Sequence, residues 1–106
     1  MPAEESDIRV KARIVLLPTA VSGRILPVSG SYRPNHNFGN ADNREMVIGF
    51  LDFPSGESLS PGEGRELEIT FWSQPGLKET VVPGRRWRIQ EGPKLVGTGV
   101  VLEVLS

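Results

Sequence analysis

Glycine and proline punctuate this chain so closely that a helix of ordinary length has no room to form. Twelve glycines and nine prolines are spread over 106 residues. No stretch of eleven or more through the middle of the chain keeps a 3.6-residue apolar period clear of them, and proline removes a helical N–H while its ring clashes with the preceding turn. The one tolerable place for a helical turn is near Ala41–Glu45. The runs between the breakers alternate instead. From Ile8 to Leu17, Ile8, Val10, Ala12, Ile14 and Leu16 fall on one side and Arg9, Lys11 and Arg13 on the other, the period of two of a strand with one buried face.

Further strands follow. Arg24–Val28 can pair briefly before Ser29-Gly30-Ser31 breaks the run, and Met46–Phe53 is apolar enough to expect burial over most of both faces. Glu66–Trp72 alternates Leu67, Ile69 and Phe71 against Glu66, Glu68 and Thr70, with Trp72 spoiling the outer face or covering a barrel end. Arg86–Glu91 and Val100–Leu105 alternate likewise. Six or so short strands at regular turn spacing imply an all-β sandwich or a closed barrel, and only closure removes every exposed strand edge.

A chain of 106 residues is long enough for one domain that buries roughly two thirds of its unfolded surface. The expected division is a flexible acidic tail over residues 1–7 and a single barrel over 8–106. With no cysteine there is no disulfide framework and no thiolate chemistry, which fits a reducing compartment. The acidic start lacks the basic-then-apolar order of a signal peptide, and no apolar run approaches a membrane span. The chain therefore reads as cytoplasmic, without a membrane partner. Its net charge of −1 offers no overall field for a polyanion. Even so, Arg24, Arg33, Arg44, Arg85, Arg86, Arg88 and Lys94 are concentrated in a few segments.

Catalytic signals are sparse. His36, the single histidine, stands between Asn35 and Asn37 and reads as a loop residue in polar surroundings rather than as a general base. No Gly-x-Ser-x-Gly elbow raises a serine, and no Gly-x-x-x-x-Gly-Lys-Ser/Thr loop cradles phosphate, so neither an enzyme nor a nucleotide-binding chain is expected. No cofactor or metal is implied. Gly92, Gly97 and Gly99 read structurally, as a hairpin turn at Glu91-Gly92-Pro93 and as close strand crossings.

Two segments carry a resemblance. One is Gly23-Arg24-x-x-Pro27 followed by Tyr32-Arg33-Pro34; the other matches at Arg86, Trp87, Ile89, Glu91, Gly92, Lys94, Val96, Gly97, Gly99, Val100 and Val101. A weaker match is the turn Pro61-Gly62-Glu63 ahead of Glu66–Trp72. In order and spacing these resemble the third, C-terminal domain of elongation factor Tu, from about Ile8 to Leu105. The resemblance implies a closed six-stranded antiparallel barrel. It also implies backbone contacts to tRNA, with Arg24 on phosphate and the Gly92 turn near the RNA, and Arg33, Asn35, Arg86 and Lys94 as further candidates. Departures from the family pattern are Ile25 where bacterial members carry His, Asn35 where they carry Gln, and Gly39-Asn40-Ala41-Asp42 in place of Arg-Thr-Thr before the Asp.

Lost donors at RNA-facing positions weaken a salt-dependent contact. The expectation is therefore a non-catalytic module, chiefly for protein interaction in a translation context, with weak backbone-directed tRNA or RNA binding as the alternative. The interaction reading expects Trp72, Leu77 and Trp87 on an exposed surface, where aromatic anchors dominate binding energy.

Overall fold

The computed structural model describes residues 7–30 and 32–105. Of the expected tail only Asp7 falls within them; Ser31 and Ser106 also lie outside the described residues. Six strands are present: β1 (Ile8–Leu16), β2 (Asn35–Asn37), β3 (Val47–Asp52), β4 (Gly64–Phe71), β5 (Arg86–Glu91) and β6 (Lys94–Val104). They close into an antiparallel barrel in the order β1-β4-β3-β2-β5-β6, with β6 returning to β1.

The alternation of β1 sets the architecture. Val10, Ala12, Ile14 and Leu16 are essentially inaccessible inside the barrel, meeting Leu67, Ile69 and Phe71 of β4 and Val96 and Val101 of β6 in one continuous core. On the outside, β1 lies antiparallel to β4 with Lys11 opposite Glu68 and Arg13 opposite Glu66. Ion pairs Arg9–Glu68 and Lys11–Glu66 span the two strands, so two of the three cations of β1 are neutralised by the carboxylates of β4.

Small residues allow the wall to close. A Cβ on Gly97 would lie 2.6 Å from the carbonyl oxygen of Val15, and one on Gly99 would lie 2.5 Å from the Trp87 ring. The expectation of close approach at these two glycines holds. Gly92, at φ 60°, opens the two-residue loop between Glu91 and Lys94, the positive φ that primed hairpin turns require.

Three local expectations change. In β3, Val47, Gly49 and Leu51 are buried while Ile48 and Asp52 are exposed and Phe50 is half-buried. One face only is covered, because no layer packs outside the barrel. Arg24–Val28 forms no strand beyond a single bridge from Val28 to Leu59; this pair is buried and belongs to the core cluster. The segment Ala41–Glu45 makes a non-helical turn tied down by asparagine, with Asn43 Nδ2 donating to Asn37 Oδ1 at 2.8 Å. Helical turns occur instead as α1 (Thr19–Ser22) and α2 (Leu77–Thr80). Each is a single turn, short enough to fit between breakers: α1 follows Pro18 and ends on Gly23 at φ 76°, while α2 starts after Gly76 at φ 82°.

Candidate functional site

The rim at the Glu91–Lys94 hairpin gathers part of the residue set that the sequence singles out. Arg24 follows α1 and forms an ion pair with Glu91. Its guanidinium lies 4.8 Å from the centre of the Tyr32 ring, and the Tyr32 hydroxyl donates to Glu91 Oε2 at 2.6 Å. Burial first, and then the Glu91 carboxylate, raise the Tyr32 pKa well above its ordinary value, so the phenol remains a donor. One carboxylate thus holds a cation and a hydroxyl, fixing the loop after α1 to the end of β5. Tyr32→Phe is expected to lower stability by about 1.5–3 kcal/mol, the range for a hydrogen bond to a charged group, read as a shifted urea midpoint with an unchanged slope.

Lys94 lies beside this triad, its Nζ 2.8 Å from where a Cβ on Gly23 would sit. Arg24, Gly92 and Lys94 therefore do converge. Asn35 and Gly92 share a neighbouring groove of about 650 Å³ with Arg44 and Gln90. Arg33 turns away onto Phe50, 4.9 Å from its ring centre. Arg86 stands at the far end of β5, about 20 Å from Gly92 at the rise of an extended strand. No single surface collects all six.

Exposed aliphatic groups stand at this rim. Ile25 and Leu26 are 76% and 71% exposed and form a shallow groove with Gly23, Arg24, Glu91 and Lys94, and Val21 on α1 is 69% exposed. The sequence marks Ile25 only as a departure from histidine. The signal for its exposure was the bracketing of this short run by Gly23 and Pro27, which left it outside any strand pairing.

Two of the expected interface residues are corrected. Trp87 and Leu77 are buried, at 3% and 4% exposure, because alternation on β5 points Trp87 inward with Ile89 and α2 turns Leu77 into the core cluster as a cap. Trp72 is exposed, as the interaction reading expects, and tilts against Phe50 at 5.7 Å between ring centres.

His36 is also corrected. It is a fully buried β2 residue, not a loop histidine. It packs edge-on to Phe71 at 5.1 Å and accepts a 3.0 Å hydrogen bond at Nδ1 from the Trp87 indole N–H. Nε2 then carries the proton and faces the backbone of Gly49 without a hydrogen bond of normal geometry. Burial holds its pKa down at about 4. Neutral and sealed from solvent, this imidazole is placed to organise rings rather than to exchange protons with a substrate. Among the described residues no cluster of three or more His, Asp or Glu could hold a metal, and no helix is long and apolar enough to cross a membrane. No model of a known protein family matches the chain.

Proposed function

We propose that this protein is a non-catalytic protein-binding module acting in the cytoplasm in a translation setting, built on a barrel of the kind found in the third domain of elongation factor Tu. The reading rests on the motif resemblance together with one structural observation. At the rim where that resemblance expects RNA contact, Arg24 is engaged by Glu91, the exposed side chains beside it are Ile25 and Leu26, and Lys94 is the one exposed cation of that groove outside any ion pair among the described residues. A phosphate backbone is recognised by free Arg and Lys, polar side chains and N–H groups. Lys94 offers one such contact and Ile25 and Leu26 offer none, whereas fully covering each of these aliphatic side chains contributes roughly 1.5–3 kcal/mol of apolar burial.

The test compares wild type with an Ile25→Asp, Leu26→Asp double variant in quantitative affinity purification, alongside tRNA anisotropy from 50 to 300 mM salt. Both substitutions sit on exposed side chains, so circular dichroism and melting temperature are expected to be unchanged. The variant is expected to lose a partner protein that the wild type retains, and tRNA to bind no tighter than the nonspecific range of about 10⁻⁴ to 10⁻⁶ M. Micromolar, salt-dependent tRNA binding that disappears in Arg24→Ala would replace this reading with the RNA one.

A further inference from the structure

The barrel closes unevenly, and the mismatch lies between β5 and β6. β6 is the longest strand, and its pairing with β5 ends at Arg86 opposite Val100. Two more backbone bonds, from Val101 N–H to the Arg85 carbonyl and from Gly84 N–H to the Val101 carbonyl, continue this side. Beyond Val101 no backbone bond joins β6 to the β5 side among the described residues, although β1 accompanies β6 on its other side as far as the Leu105 N–H bond to Arg9. The final residues of β6 thus present a strand edge, and Leu102 and Val104 are 42% and 41% exposed along it. Unpaired edges of this kind template the addition of another strand.

Charge selects what could be added. Next to the edge, Arg85 and Arg86 stand at the start of β5, and Arg88 follows two residues further from it, opposite Thr98. Their cross-strand neighbours are neutral, Val100 opposite Arg86, and Thr98 and Asn37 opposite Arg88. Arg85 lies over the Phe38 ring and donates to the Phe38 carbonyl, and Arg88 donates to the side-chain oxygen of Gln90. None of the three belongs to an ion pair among the described residues, in contrast to Arg9 and Lys11 of β1. The one carboxylate on this part of β6, Glu103, faces Lys11 across the β1 ladder.

We infer that the open end of β6 is a docking edge for an extended acidic segment of a partner protein, which adds a strand along Leu102–Val104 while its carboxylates engage Arg85 and Arg86. This surface lies at the opposite end of β5 from the Ile25–Leu26 rim, so each can fail without the other.

The experiment titrates the isotopically labelled full chain with an acetylated seven-residue peptide of alternating glutamate and valine, at 150 mM salt, followed by amide shifts. Shifts are expected at residues 84–88 and 101–105 and not at 21–26. Arg86→Glu is expected to weaken binding at least tenfold. Methylating alternate peptide nitrogens, which removes strand pairing but keeps the charges, is expected to do the same. Equal binding of the methylated peptide, shifts at other residues, or no shifts at millimolar peptide would each overturn the inference. Tenfold tighter binding after removal of residues 1–6 would assign the edge to this chain's own acidic N-terminal segment, and a concentration-dependent dimer abolished by Arg86→Glu would assign it to a second copy; either result overturns the partner.

Discussion

Gly97→Ala is expected to destabilise the protein by about 1–3 kcal/mol, the cost of forcing a methyl group into a packed interior, and to lower its melting temperature by roughly 5–20 °C. The added carbon meets the Val15 carbonyl at 2.6 Å and the Leu16 side chain at 3.3 Å. The first of these is backbone, so no rotamer change relieves it. Relief requires β6 to move away from β1 at the pair Leu16–Gly97, next to the point where Leu17 N–H bonds the Val96 carbonyl. Gly30→Ala is the matched control: nothing lies within 4 Å of its added carbon, and a change within about 0.5 kcal/mol is expected, as for an unencumbered surface site. Thermal melts of both variants decide it, and equal melting temperatures would show that the β1–β6 contact is looser than described.

The second large effect is a loss of stability in mild acid, carried by His36. Its pKa is held at about 4 in the fold against about 6.5 in an unfolded chain. Between these values the unfolded state binds the proton and the folded state does not, so stability is full above pH 6.5 and falls as the pH drops toward 4. From pH 7 to pH 4.5 the loss is about 2–3 kcal/mol, at 1.36 kcal/mol per unit of pKa difference. Protonated Nδ1 can no longer accept the Trp87 N–H, and the surrounding rings of Phe38, Phe71 and Trp87 include no anion to stabilise an imidazolium. Urea midpoints followed by tryptophan fluorescence at each pH measure the effect. His36→Asn is expected to be less stable at pH 7 and to lack most of the decline between pH 7 and pH 5, where few carboxylates titrate. Parallel profiles for the two proteins would remove His36 as the cause.

The barrel was readable because strand burial leaves a period of two, which β1 and β4 carry without interruption and β5 carries as far as Ile89, where a register shift buries Gln90 as well. The aromatic interior was harder to read. Asn35-His36-Asn37 looks polar in sequence, yet His36 points into the barrel while Asn37 is covered by the loop it ties down, donating to the Asn40 carbonyl and to Gln90 Oε1. Such burial depends on partners 53 residues away, which no local pattern contains. Trp87 was misplaced by treating an aromatic residue as an interface anchor, although its own alternation with Arg86 and Arg88 already set it on the inner face. The site divided for a similar reason. Arg24 and Glu91 are 67 residues apart in the chain, so the pairing that neutralises Arg24 exists only in the folded rim.

The ring order places β4 and β5 three positions apart among six strands, on opposite sides of the barrel. Glu66 and Glu68 on one are matched by Lys11 and Arg9, whereas Arg86 and Arg88 on the other have no ion-pair partner among the described residues, so a molecule of net charge −1 keeps a locally positive β5 side. An approaching charged protein feels a torque before it makes contact, and at low ionic strength the barrel is turned β5 side first toward an anionic surface. Salt should therefore slow association far more than it speeds dissociation.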